Sequence, residues 1–303
     1  MNYELIINEI AEDILSKENK GALPDYIPEL KAIDPNKFGV SISSIDGQHI
    51  GFGDCNEEFS IQSVSKVLSL SMLYSKRGSE IWKRVGVEPS GTAFNSLFQL
   101  EADKGIPRNP MINAGAMVIC DMLLDEYENA KTVVLEFVRE LSGNMDLSYD
   151  TNIIESEKKL GFRNAAMINL MKSFNNIHSS IEAVLDLYYS ICSISICCSD
   201  LAKAFYYLAN RGISLDGRTI LNQSQTKRIN AILQTCGFYD EAGEFSYRVG
   251  LPGKSGVGGA IIAIHPEQYS IAVWSPKLNA KGNSYRGLQF LESFTTKTEL
   301  SIF

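Results

Sequence analysis

Ser63-Val-Ser-Lys66 has the residue types and the spacing for nucleophilic chemistry. A serine three residues before a lysine, at a helix start, puts both side chains on one face, one turn apart. The hydroxyl then hands its proton to a neutral amine. Far along the chain, Lys254-Ser255-Gly256 supplies a second cation, a hydroxyl and backbone donors. This is the S-x-x-K and K-T-G pairing of serine acyl-transfer chemistry, which predicts an amide or ester hydrolase rather than a binding module.

S-x-x-K alone carries little. The chain holds it again at Ser156 to Lys159 and Ser224 to Lys227. Ser224 fits the N-cap of a helix, and Ser156-Glu-Lys-Lys lies in a charged stretch. Context singles out Ser63. It follows a strand pattern and opens an apolar helix with Val64, Val67, Leu68, Leu70, Met72 and Leu73. Lys66 on such a helix is desolvated, which lowers its pKa toward the neutral base. The helix N-terminus favours negative charge nearby.

Gly253-Lys-Ser-Gly-Val-Gly-Gly259 invites a phosphate-loop reading, but Arg248 stands where a Walker motif needs glycine. The following Ala260-Ile-Ile-Ala-Ile is strand-like, so a strand starting at Lys254 is the better reading. Its glycines let substrate approach the backbone closely. The tetrahedral oxyanion needs two backbone donors, and these are read as the N–H groups of Ser63 and Val257.

The elements that must position these groups follow from periodicity. Residues 3–17 have helical spacing, followed by a loop over 21–28. Strands are predicted at Phe38 to Ile45, His49 to Phe52 and Glu58 to Ile61. Helices are predicted at 63–76, 113–127, 131–142, 164–173, 180–193, 199–210 and 223–235. Glu88-Pro-Ser-Gly91 and Pro107-Arg-Asn-Pro110 read as loops. Phe245 to Val249, Gly258 to Ile264 and Tyr269 to Ser275 read as strands, the last two as a hairpin, and a helix near 284–297 closes the chain. Strands at both ends around a helical block predict an α+β fold with one sheet built from the two ends. The expected organisation is a single catalytic domain over 1–303, with a sheet part near 1–62 and 240–303 and a helical part near 63–239.

Composition narrows the function classes. The chain has 303 residues, 45% apolar and 21% charged, enough for a sizeable core. A net charge of −8 argues against a nucleic-acid groove. The N-terminus lacks a basic, then apolar, signal pattern, and no apolar run approaches a membrane span. A cytosolic protein is expected. The cysteines at 55, 120, 192, 197, 198 and 236 form no C-x-x-C, and His49, His178 and His265 are scattered. Buried thiols are expected rather than a metal or redox site.

An ordered set of motifs carries a family resemblance over nearly the whole chain, from Tyr26-Ile-Pro to Gly282-Asn-Ser. It comprises Gln62-Ser-Val-Ser-Lys66, Glu88-Pro-Ser-Gly91 with Phe94-Asn-Ser96, and Asn109-Pro-Met-Ile-Asn-Ala-Gly115. Ser156-Glu157, Arg163-Asn164, Tyr188, Cys236-Gly-Phe-Tyr239-Asp and Gly250 to Gly259 follow. The chain resembles the serine-dependent glutaminases, which share the β-lactamase and penicillin-binding-protein fold. Departures are small: Ala260 stands where related chains often have glycine, and Gly253 where alanine is frequent.

The resemblance implies hydrolysis of L-glutamine to L-glutamate and ammonia, with Ser63 as nucleophile and Lys66 as its base. It implies that Tyr26 and Tyr239 hydrogen-bond near the serine and the reacting amide. Gln62, Asn113, Glu157, Asn164 and Tyr188 would hold the amino-acid end, with Glu157 pairing the α-ammonium. Read by themselves, Tyr188 is a core tyrosine and Asn113 an N-cap. Acyl transfer of this kind requires no cofactor or metal. A homodimer or homotetramer is also implied. The alternatives are a penicillin-recognising hydrolase or other serine amidase of the same fold, and a catalytically silent amino-acid-binding relative.

Overall fold

The computed structural model describes residues 1–90 and 97–303. Gly91 and the Phe94-Asn-Ser96 motif therefore lie outside the described residues. The chain opens with α1 (Tyr3–Leu15) and the short α2 (Pro28–Lys31), then β1 (Gly39–Ser44), β2 (His49–Gly53) and β3 (Phe59–Ser60). The helical block follows: α3 (Ser65–Arg77), α4 (Leu97–Ala102), α5 (Asn113–Glu126), α6 (Ala130–Ser142), α7 (Thr151–Leu160), α8 (Phe162–Ser173) and α9 (Ile181–Cys192). After β4 (Ser195–Ile196) come α10 (Cys198–Ala204), α11 (Tyr206–Ala209), α12 (Gln223–Cys236) and α13 (Ala242–Arg248). The chain ends with β5 (Gly253–Ser255), β6 (Ala260–His265), β7 (Tyr269–Trp274) and α14 (Tyr285–Thr298).

The main sheet is antiparallel, in the order β2-β1-β7-β6-β5, so both chain ends build it, as expected. Side chains alternate across a strand. On β6, Ile261 and Ala263 join a core with Ile7, Phe290 and Phe294 of α1 and α14. Ala260, Ile262 and Ile264 face the helical block, with Leu68 and Leu201. Both faces of β1, β6 and β7 are buried; β6 and β7 accordingly read as near-continuous apolar runs, whereas β1 buries Ser41, Ser43 and Ser44 beside Val40 and Ile42. α3 runs through the larger core with ten consecutive buried residues, Ser65 to Tyr74.

Several expectations are corrected. Phe245 to Val249 is helix α13, not strand. Ala242, Phe245 and Val249 recur at helical spacing, Phe245 stacks on Phe238 at 3.5 Å, and Arg248 pairs with Glu244 one turn back. The helix expected at 199–210 divides into α10 and α11 at Phe205. Helices α2, α4 and α7 were not expected; α7 is capped by Asp150, whose side chain accepts from the N–H groups of Asn152 and Ile153. Asn222, not Ser224, caps α12, in a capping box with Gln225. All six cysteines are free and buried, as expected. Among the described residues, no helix is long and apolar enough to cross a membrane.

Gly237 ends α12 against β5. A Cβ on Gly237 would lie 1.7 Å from Gly253 O and 2.6 Å from Leu233 O. Both are backbone atoms, and the closer one belongs to β5, so relieving it requires moving the helix end off the strand. Gly237→Ala is therefore expected to cost ~3 kcal/mol or more. Urea unfolding measures it; an unchanged midpoint would contradict this close packing.

Candidate active site

The chain approaches Ser63 through strained backbone. Gln62 has a φ of 47°, a left-handed value that costs a non-glycine residue ~1–3 kcal/mol. Its side chain is tied on both ends: Nε2 donates to Ser60 Oγ at 3.0 Å, and Oε1 accepts from Tyr26 Oη at 3.2 Å. Ser65 Oγ donates to the Gln62 carbonyl at 2.7 Å. Ser63 lies in the 3-10 turn Gln62–Val64, just before α3. The expected helix at 63–76 thus begins tighter than an α-helix, yet Ser63 and Lys66 still meet.

Lys66 Nζ donates to Ser63 Oγ at 2.9 Å and to Asn113 Oδ1 at 2.6 Å. Its side chain is 1% exposed. Burial pushes the amine down to about 8, opposed by nearby Cys192 and Glu157. Among the described residues no carboxylate hydrogen-bonds the amine, so desolvation wins. Asn113 does not cap its helix: Ile112 holds that position and Asn113 is the first residue of α5. Its side chain instead accepts from Lys66, and its Nδ2 donates to Asn164 Oδ1 at 3.1 Å.

Lys254 is wholly buried on β5. Its Nζ donates to Gly237 O at 3.0 Å and Ser255 O at 2.7 Å, and lies 4.5 Å from the Tyr239 ring centroid. Burial, then the neighbouring Lys66, hold it well below its ordinary pKa. Tyr239 itself has a φ of 52°. Burial raises its hydroxyl to about 12, while hydrogen bonding with Ser63 and Ser255 opposes the rise.

Gly256 and Gly258 let the turn after β5 press on the chain before Ser63. A Cβ on Gly256 would lie 3.0 Å from Ile61 O and 3.4 Å from Ser63 N; one on Gly258 would lie 2.5 Å from Ser60 O. Val257 sits between them, beside the serine. Among the described residues, neither the Ser63 nor the Val257 N–H donates to another protein group.

These groups border a cavity of about 330 Å³. Tyr26, Gln62, Ser63, Asn113, Glu157, Asn164, Tyr188, Tyr239 and Val257 all line it, with Lys66 directly behind Ser63. Tyr26 is not bonded to the serine; its hydroxyl reaches Gln62 and, at 3.1 Å, Glu157 Oε1. Burial raises the Glu157 carboxyl, opposed by the Tyr26 hydrogen bond and by Lys66. Tyr188 is 4% exposed, so its core and pocket readings coexist, and Lys66 Nζ lies 5.9 Å from its ring centroid.

The cavity also has walls that no site expectation named: Leu160, Gly161, Arg163 and Cys192. Cys192 follows Tyr188 by one turn on α9, the signal that places both on one face. Gly161 gave no sequence signal; Tyr189 packs so closely that a Cβ there would lie 2.0 Å from its hydroxyl oxygen. The other two S-x-x-K serines take no part. Ser156 donates to Glu29 at 2.9 Å, and Ser224 is exposed in the first turn of α12. A larger groove, about 750 Å³, runs along α12 against the C-terminal residues and holds none of these groups.

The arrangement can do acyl transfer: a hydroxyl against a desolvated amine, with two unengaged backbone N–H groups alongside. A family profile described as Glutaminase matches residues 21–303. A glutaminase of Saccharophagus degradans is 53% identical over 304 residues, covering 100% of this chain and 99% of its own. A solved structure described as probable glutaminase ybaS superposes with a TM-score of 0.94 at 30% identity, over 99% of this chain and 97% of that one. One of Mglu in its glutamate form superposes at 0.91 and 29% identity, over 97% of this chain and 68% of that one.

Asn113 presents a neutral acceptor to Lys66. Asn113→Asp is expected to raise the Lys66 titration midpoint by ~1 unit or more, since a carboxylate favours the ammonium. Nitrogen NMR of the Nζ resonance against pH reads it. A midpoint equal to that of the wild type would contradict the 2.6 Å contact.

Proposed function

The chain belongs to the glutaminase family and hydrolyses L-glutamine to L-glutamate and ammonia, and we propose that it does so through a γ-glutamyl ester on Ser63. The observation that carries this reading is the 2.9 Å contact between Ser63 Oγ and a lysine amine lowered to about 8. Ser63 attacks the side-chain amide while Lys66 accepts its proton. The oxyanion rests on the N–H groups of Ser63 and Val257. Loss of one such donor typically costs about 10²–10³ in rate. Ammonia leaves with a proton returned through Lys66 or Tyr239, and water then hydrolyses the ester.

Recognition of the amino-acid end falls to the far wall. Glu157 pairs with the α-ammonium, and Tyr26 holds that carboxylate in place. Asn164 spends its oxygen on Asn113, which leaves its N–H₂ to donate to the α-carboxylate. Gln62 and Tyr188 complete this end. Substrates without an amino-acid head would leave these polar groups unpaired and be rejected. The 330 Å³ cavity is ample for one free amino acid. The reading takes the chain as one catalytic domain, with the site in the seam between its sheet part (near 1–62 and 240–303) and its helical part. It extends to a homodimer or homotetramer, for which the family resemblance is the support, and to a cytosolic location.

Ammonia release from L-glutamine by wild type and Ser63→Ala, with L-asparagine in parallel, tests the reading. Ser63→Ala is expected to lose ~10³-fold or more in kcat. Substantial turnover by the variant would remove Ser63 as nucleophile.

The pH dependence has a definite sign. Lys66 acts as base in its neutral form, whose fraction grows as pH rises through about 8. The wild-type kcat is expected to rise roughly tenfold per pH unit below that value and to level off above it. A flat profile from acid to alkaline pH, where chemistry limits the rate, would sink the neutral-lysine base.

A further inference from the structure

The turn that carries Tyr239 has an anchor that the acyl-transfer steps do not use. Glu241 closes the 3-10 turn Tyr239–Glu241. Its two carboxylate oxygens accept from Asn279 Nδ2 at 3.0 and 2.9 Å, and Oε2 also accepts from Asn283 Nδ2. Asn279 in turn shapes the loop between them. Its Oδ1 accepts from the N–H groups of Lys281 at 2.9 Å and Asn283 at 3.1 Å. Its own N–H donates to Asn283 O at 2.8 Å, and Gly282 N donates to its carbonyl at 3.0 Å.

The tip of that loop returns to the site. Gly282 has a φ of 86°, and a Cβ there would lie 3.9 Å from Tyr239 Cε2 and 4.0 Å from Val257 Cγ1. One carboxylate thus closes a ring: the Tyr239 turn, the loop 279–283, and back to Tyr239 and Val257 together. Local preference does not hold Tyr239, whose φ of 52° is unfavourable for its residue type. Nor is Asn283 well satisfied without Glu241: it is fully buried, its Oδ1 has no donor among the described residues, and its other Nδ2 contact, to Phe238 O, is 3.5 Å long. Glu241 is not part of the cavity wall.

We propose that Glu241 is a positioning residue for the acyl transfer. Through the Asn279–Asn283 loop it holds the Tyr239 hydroxyl and the Val257 backbone in register with Ser63. The proposal rests on the roles assigned above to Tyr239 and Val257. Its physical basis is that a misplacement of ~1 Å at a reacting centre can cost ~10² in rate without loss of binding groups.

The test compares kcat, KM and thermal midpoint for Glu241→Gln, Tyr239→Phe and the double variant, with L-glutamine as substrate. Glutamine keeps the size of Glu241 but turns one acceptor into a donor facing two asparagine amides. Glu241→Gln is expected to lower kcat ~10-fold or more with KM within about twofold. The double variant is expected to lose less than the product of the single losses, because both changes act on one group. Asn279→Ser opens the same ring from its other side and is expected to give the same kcat-selective loss, should Glu241→Gln fail to fold. A lowered thermal midpoint with wild-type kcat would make Glu241 a structural anchor only and overturn the proposal. So would losses that multiply in full. A wild-type kcat in Tyr239→Phe would overturn the role of Tyr239 itself and this proposal with it, whereas an impaired Tyr239→Phe beside an unimpaired Glu241→Gln would overturn this proposal alone.

Discussion

The proposed chemistry depends on removing the Lys66 amine from water without, among the described residues, giving it a hydrogen-bonded carboxylate. An ammonium buried beside an acid would stay charged and could not take a proton from Ser63. Here the amine meets a hydroxyl and an amide oxygen, both neutral, so desolvation lowers it to about 8. Lys254 repeats the device with two backbone carbonyls as its acceptors. Two unpaired lysines in one core are costly. Their burial needs a large surrounding structure, and α3 supplies it, packed on every side between the sheet and the helical block.

A second constraint is where strain is stored. Gln62 and Tyr239 both adopt left-handed backbone without being glycine, and both lie beside Ser63. Each is over-determined by its surroundings: Gln62 by Ser60, Ser65 and Tyr26, and Tyr239 by Lys254 and the loop tied to Glu241. The glycines after β5 serve the same end. They let the β5 turn touch the backbone before Ser63, so that the sheet contributes to a cavity whose serine lies in the 3-10 turn leading into α3. Sheet and helices are thereby coupled at the cavity.

Local patterns carried well where packing agreed with them. The hairpin of β6 and β7 was legible from two β-branched runs around Pro266-Glu267, and α14 from its spacing. The strand expected at Phe245 to Val249 failed because a short aromatic run suits either period, and stacking of Phe245 on Phe238 decided for helix. Helix α7 was missed because its charged face hides the apolar positions Ile153 and Ile154. Asn113 was read as a cap because asparagine before a helix usually is one; the pull of a buried amine across the fold took its side chain instead.

The sequence by itself determined the Ser63–Lys66 contact. Ser63 and Lys66 lie within one turn, so their contact is local and their spacing alone predicts it. It also determined the motif set, and through it the family. Only the tertiary structure decided how far the Lys66 amine is lowered, because desolvation comes from helices and strands distant in sequence. It alone decided that Tyr26 serves Glu157 and Gln62 rather than the serine, and that Cys192 and Gly161 wall the cavity. These are long-range contacts. They depend on how packed elements fill space together, which residue spacing along a chain does not encode.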